Sequence, residues 1–429
     1  MLGAFKLNGI SKYMAPTNQG WVIELTSTGT LDGAYGPRIH VDSSENLYIA
    51  GSTWNSGGTS ETGYIAKLTS SASITWQKVI TNTTFNCFAN GISVDSSGNV
   101  FASGTYYTNA TPNYSQYIVK YNSAGTQQWK KYQNGTIAST TRSGYDLTVS
   151  SAGDPIYVGS YGTAPYRPLL GKITSSTGAG SFFKRITNGT NGEYYNITID
   201  SSGNIIVTGY ISFNGSSNDT IIVKYTSAGA ISWQRYLNTN SPMGQTTGVS
   251  TDNSNNIYFT GYGSSGAYVS KYDSTGTLQW SKVITPTQYT FALHDIVSDS
   301  SGNTYAIGYT GYGGGVIVKL DTNGSLIWSR WLNGVNAGFR SVKLVNNYLY
   351  IGGFGSTSSK LSITKVPTDG TATGTYGSYT YASLSVTVSN SGFTGGTTTY
   401  TDTTLTNTTT DAAFTESSGS QTASKTDAF

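Results

Sequence analysis

Val94-Asp-Ser-Ser-Gly-Asn-Val-Phe-Ala-Ser-Gly104 is the stretch that decides the fold. Its flanks are β-branched and aromatic, which suits strands. Between them Asp95 can accept hydrogen bonds from main-chain N–H groups two residues on, an Asx-turn. Gly98 supplies the positive φ of a type I turn with a bulge. The pentapeptide returns at 200–204 and 299–303. Degenerate copies stand at 42–46, 150–154 and 252–256, and a worn copy runs through 344–347. A turn signal recurring about every 50 residues marks a ring or stack of small sheets.

A second hairpin follows the first in each unit, typified by Tyr117-Ile-Val-Lys-Tyr-Asn-Ser-Ala-Gly-Thr-Gln-Gln-Trp129. Lys67 with Trp76, Lys224 with Trp233, Lys271 with Trp280 and Lys319 with Trp328 repeat its spacing. Lys172 and Lys365 continue the series without the Trp. The recurring Trp reads as an anchor packing one sheet on the next. The Lys reads as an outer residue lying along the sheet with its charge in water. Gly51, Gly104, Gly159, Gly209, Gly261 and Gly308 hold a fixed strand position, which points to close backbone approach at a crowded ring axis.

Two hairpins per unit make a four-stranded, up-and-down blade. The expectation is an all-β chain: a β-propeller of four-stranded blades with a Thr/Ser-rich C-terminal arm. Residues 1–36 form an N-terminal segment, 37–380 the repeat domain, and 381–429 the arm. Closure into a ring leaves only short, protected sheet edges, whereas an open stack would need capping repeats. The count favours seven blades. Trp21-Val-Ile-Glu24-Leu-Thr-Ser-Thr-Gly29 reads as an eighth copy of the second hairpin, with Glu24 at the Lys position. If it paired with Val386-Thr-Val-Ser-Asn-Ser-Gly392, the ring would have eight. The arm has too few large apolar residues to build a core. It is expected to extend and to order against a neighbour or not at all.

Composition narrows the function. Charged residues make up 10% of the 429, and the net charge is +3 with no basic run. This excludes the clustered positive stripe of a nucleic-acid binder. No apolar run is long enough for a membrane span, and Met1-Leu-Gly-Ala-Phe-Lys6 is too short and polar to read as a signal peptide. Cys87 has no partner for a disulfide. His40 and His294 lie far apart, with no zinc spacing, nucleophile elbow or phosphate loop. Each Asp-Ser-Ser-Gly-Asn loop has one carboxylate and reads as a turn rather than a calcium loop. No metal, cofactor or catalytic residue is assigned. Asp146, Glu193, Asp219 and Asp295 are acids away from the turn position, in no distinctive motif.

The units quoted above resemble the SBBP-type β-propeller repeat of bacterial and phage proteins over roughly residues 37–370. The last unit, Lys365-Val-Pro-Thr-Asp-Gly370 with Gly374-Thr-Tyr376 and the Ser/Thr tail, resembles the C-terminal part of repeat proteins from marine tailed phages. The resemblance implies a non-enzymatic virion protein of the tail or fibre, assembled in the host cytoplasm. Its partners would be other virion subunits or a host-surface glycan or receptor, with neither nucleic acid nor membrane insertion.

In such a blade the two hairpin turns lie on one face of the disc. The other connections are long and variable, at 105–116, 160–167, 210–220 and 238–247. They and their shorter counterparts hold Tyr106, Tyr107, Tyr114, Tyr161, Tyr166, Arg167, Tyr210, Phe213, Tyr262, Tyr309 and Tyr312. Variable loops on a rigid scaffold carry binding sites, and Tyr among Ser, Gly and Asn suits an adaptable surface. These residues are the expected ligand or partner face. A carbohydrate-binding module and an envelope polysaccharide hydrolase are the alternatives.

Overall fold

The computed structural model describes residues 7–14, 20–27, 30–31, 37–54, 61–81, 86–108, 113–134, 137–138, 145–162, 165–186, 191–212, 218–239, 245–263, 266–287, 291–311, 313–334, 338–355, 360–398, 402–404, 408–411, 415–418 and 424–427. They form a seven-blade β-propeller. Each blade is an antiparallel sheet whose first strand lies innermost. In blade two the strands are Cys87–Val94, Val100–Thr108, Asn113–Tyr121 and Gln127–Asn134. Blades one and three to six follow the same order, with inner strands Arg38–Val41, Asp146–Val149, Asn191–Ile199, Gln245–Thr251 and Phe291–Ser298. Successive inner strands touch around a closed cycle, and Phe339–Val345 of blade seven meets Arg38–Val41 of blade one.

The turns form as the residues dictate. Asp95 Oδ1 accepts the N–H groups of Ser97 and Asn99 at 2.9 and 2.8 Å, and Oδ2 accepts the Asn99 side-chain amide at 2.8 Å. Gly98 adopts φ +78°. The apolar residues between the sheets gather into seven clusters, each shared by two adjoining blades. There is therefore no single core. Every blade is half of two cores, so stability depends on the ring being closed.

At four seams the repeated Trp and Lys act together. Trp129 Nε1 donates to the Ser175 carbonyl of the next blade at 2.9 Å, and Lys120 Nζ donates to the same oxygen at 3.0 Å. Trp76 with Lys67, Trp233 with Lys224, and Trp280 with Lys271 repeat the clasp on Ser123, Ser274 and Thr322. The indole lies against the turn glycine of that next blade, as Trp76 does on Gly125. The Lys stem crosses an aromatic ring on the way, with Lys120 Nζ 5.4 Å from the Phe101 centroid. Lys67, Lys120, Lys224 and Lys271 thus bridge blades instead of lying free along the sheet.

Blade seven corrects the reading of the N-terminus. Its first three strands are Phe339–Val345, Tyr348–Phe354 and Lys360–Pro367. Its fourth is Trp21–Ser27, which pairs with Lys360–Pro367 and places Trp21 opposite Lys365. This is the register of Trp129 opposite Lys120. Trp21 is therefore the Trp that the seventh lysine lacked, and not the opening of an eighth copy. In blade three Phe182 stands opposite Lys172 and takes the same place. The two chain ends share one sheet, which closes the ring non-covalently. Glu24 is buried within this seam, where it receives Lys360 Nζ at 2.7 Å and the Tyr379 hydroxyl at 2.6 Å.

The C-terminal arm orders against its own propeller. Tyr379–Ser383 adds a strand to the outside of blade six, and Val386–Asn390 does the same on blade five. Thr394–Thr397, Asp402–Thr404, Thr408–Asp411 and Thr415–Ser418 continue backwards along blades four, three, two and one. Ser424–Asp427 ends beside Leu7–Met14, the extra outer strand of blade seven. Val386–Asn390 is thus a belt strand, with no role as the first hairpin of another blade. Thr-rich extended chain needs no core of its own here, because main-chain pairing to open outer edges orders it.

Candidate functional site

A β-bulge builds the centre of the disc. The inner strands of blades two, four, five, six and seven each skip one residue in pairing with their neighbour: Asn90, Tyr195, Thr247, His294 and Arg340. All five lie five residues before the turn position, where blades one and three have Pro37 and Tyr145. A bulge re-aims its side chain, here towards the ring axis. In the bulged blades the fixed strand glycine makes room for the inner strand. A Cβ on Gly104, Gly209 or Gly308 would lie 1.8 Å from the carbonyl oxygen of Phe88, Glu193 or Ala292 on the inner strand. The close approach is thus to the neighbouring strand within the blade, not to the axis.

The bulged residues open an axial funnel of about 440 Å³ on the long-connection face. One wall is aromatic. Tyr195 stacks on Tyr210 at 5.7 Å and 30°, and Tyr145 meets Tyr195 edge-on at 4.6 Å. Tyr145 donates to buried Glu193 Oε2 at 2.7 Å, and Tyr262 donates to Gln245 Oε1 at 2.7 Å. Burial, then the nearby Glu193, pushes the Tyr195 phenol well above its ordinary range, so it remains a proton donor. The buried amide of Asn90 makes no hydrogen bond among the described residues and borders the same funnel.

The opposite wall is cationic. Arg340 donates to Nε2 of His294, and its guanidinium lies 4.7 Å from the Tyr309 ring. His294 stacks on Tyr309 at 5.1 Å and 15°. Burial first, then the charges of Arg340 and Arg38, drive the His294 pKa well below 6.5, so the imidazole is neutral.

Beneath the funnel a narrower channel of about 210 Å³ follows the axis between the inner strands. Arg38 borders both spaces. Asp146 and Asp295 face the channel, and each ties its blade to the next. Asp295 Oδ1 accepts the Ile296 N–H and Oδ2 the Val342 N–H, both at 2.9 Å. Asp146 accepts the Leu147 and Ile197 N–H groups at 2.9 and 3.3 Å. Burial raises both pKa values above the ordinary carboxylate range, against the lowering effect of Arg38 and Lys343.

Of the expected face residues, Tyr210 and Tyr262 line the funnel, and Tyr309 backs its cationic wall. Tyr161 lies under the Arg185 guanidinium, 5.3 Å from its ring centroid, while Tyr166 and Arg167 sit at the start of the third strand of blade three. None of these three lines the funnel. Tyr106, Tyr107 and Tyr114 lie on strands of blade two, with Tyr107 opposite Tyr114. Their side chains, with Phe213 and Tyr312, are outside the described residues. Asp146, Glu193 and Asp295 converge on the axis, and Asp219 does not. The loop-based reading missed Asn90, Tyr145, Tyr195, His294 and Arg340. An alignment of the units on the turn aspartate would have found them, because that column alone reads Pro, Asn, Tyr, Tyr, Thr, His, Arg.

No protein-family model and no curated protein sequence matches the chain. Similar solved structures include the β-propeller domain of Myceliophteria thermophila Cps50 (Swd1), 8% identical with a TM-score of 0.49 over 79% of this chain and 98% of that one. Another is a protein of unknown function from Bacteroides caccae, 13% identical with a TM-score of 0.39 over 80% and 97%. Sqt1 of Chaetomium thermophilum is 10% identical with a TM-score of 0.43 over 79% and 97%. The assignment as a propeller rests on the seven sheets themselves.

Proposed function

We propose that this propeller is a non-enzymatic recognition module that binds a carbohydrate in its axial funnel, as part of the tail or fibre of a phage particle. The observation that carries the binding reading is the Tyr145–Tyr195–Tyr210 wall beside Glu193, Gln245 and Asn90. A concave site with aromatic faces and a few convergent polar groups fits a ring that is apolar on its C–H face and hydroxylated at its edge. The virion setting rests on the repeat resemblance and the low charge. A belt that covers the outer edges suits a subunit that must not pair edge-to-edge with its neighbours.

A second reading, polysaccharide hydrolysis, draws on Asp146 and Asp295, two carboxyls raised by burial beneath the funnel. Both, however, hold two main-chain N–H groups each, which makes them ties between blades first. A glycan array on purified protein, repeated with Tyr195→Ala, tests the proposal. Loss of an aromatic anchor from the centre of a site should weaken binding about thirtyfold. Release of reducing ends from any bound polysaccharide would overturn the non-enzymatic assignment.

A further inference from the structure

We infer that the funnel is built for a sugar bearing a carboxylate, which Arg38 receives at the funnel floor. This rests on the carbohydrate reading above and narrows it to a ligand class. Arg38 opens the inner strand of blade one, and its half-buried guanidinium lies where funnel and channel meet. Among the described residues it donates no hydrogen bond and forms no ion pair. Asp146 and Asp295 are near enough to sense its charge, yet their oxygens accept the N–H groups of Leu147, Ile197, Ile296 and Val342 and not the guanidinium.

A half-buried guanidinium that lines an open site and has no side-chain partner there is free to pair with an incoming carboxylate. The planar fork of Arg matches a carboxylate through two parallel hydrogen bonds, with more geometric selectivity than a point charge has. Lys343, further along the channel, also forms no ion pair among the described residues and adds a second positive charge beside Asp146 and Asp295. Glu193 on the aromatic wall repels an anion, so it sets the orientation. The carboxylate goes down to Arg38, and the hydroxylated edge of the ring faces Glu193 and the tyrosines.

The test is a paired array on the full chain. Uronic-acid and sialic-acid glycans are placed beside their carboxyl-reduced counterparts, and the wild type is compared with Arg38→Gln and Arg38→Lys. Charge-assisted hydrogen bonds of this kind predict acidic glycans bound about tenfold to a hundredfold more tightly than their reduced partners. Arg38→Gln should abolish that preference, and Arg38→Lys should recover only part of it. Circular dichroism confirms that both variants fold. Equal binding of acidic and reduced glycans, or a preference that survives Arg38→Gln, overturns the inference and leaves the carbohydrate reading standing. Binding of inorganic phosphate or acetate through Arg38 without any glycan overturns it too, because the site would then be a simple anion site. An array on which no glycan of either class binds removes the underlying carbohydrate reading as well.

Discussion

Replacing Trp21 by alanine tests whether the N-terminal strand completes the seventh blade. Trp21 is 6% exposed, faces Lys365 across the sheet, and meets Tyr350 edge-on at 6.1 Å. Lys12 Nζ, from the strand outside it, lies 5.4 Å from its ring. Truncating a buried Trp costs about 3–5 kcal/mol, the lower end where neighbours can relax into the space. Trp21 lies next to the outermost strands, so about 3 kcal/mol is expected. Were the segment an eighth partial hairpin packed on the surface, the loss would stay within about 0.5 kcal/mol. The assay is urea unfolding followed by far-ultraviolet circular dichroism, with Trp129→Ala as the benchmark from an intact interior blade. Trp129 is 9% exposed and occupies the equivalent place. The two variants should lower the midpoint by similar amounts. A Trp21→Ala protein with an unchanged midpoint, beside a destabilised Trp129→Ala protein, would refute closure by the N-terminus.

Glu24→Ala should cost about 3 kcal/mol, because it removes the buried carboxylate that Lys360 and the Tyr379 hydroxyl share. Limited proteolysis should then cut the C-terminal arm faster, since Tyr379 anchors its first belt strand. Stability should also depend on pH through the histidines. Burial, then Lys343, holds His40 at about 4, and His294 lies well below 6.5. The unfolded chain takes up these protons near pH 6.5, so stability present above that pH is lost as pH falls towards 4, by about 3 kcal/mol for His40 alone. Asp146 and Asp295, raised by burial, act in the opposite sense, so the check is the difference between wild type and His40→Asn in unfolding at pH 7.5 and 4.5. Gly209→Ala places a methyl on the Glu193 carbonyl and must displace the bulge that carries Tyr195. It should weaken glycan binding as much as Tyr195→Ala, and a variant with unaltered binding would show that the bulge does not set the site.

Much of the fold was legible in the turns. Asp95 and Gly98 specify a hairpin from local hydrogen bonding and one positive φ, and repetition at a constant interval specifies a ring of blades. The Lys and Trp columns announced a seam, although they did not reveal that both side chains reach the same carbonyl of the next blade. The candidate site was only half visible. Tyr210, Tyr262 and Tyr309 follow the strand glycines and were found through their loops. Asn90, Tyr195, His294 and Arg340 sit on inner strands, where strict alternation would send each second residue between the blades. The bulge breaks that alternation, and its sequence trace is a column of unlike residues five places before the turn, visible only when the units are aligned.

The sequence by itself determined local geometry: which residues turn, which extend, and how often the unit recurs. These follow from contacts between residues close along the chain. Tertiary structure alone decided what depends on distant partners. Trp21 found Lys365 because a ring of seven has one unfilled outer position. Asp146, Glu193 and Asp295 came together because inner strands from different blades converge on one axis. The Thr-rich arm became a belt because seven outer edges offered unpaired main-chain groups. A segment with few core-forming residues of its own, Phe393 among them, carries no sign of where such edges will be.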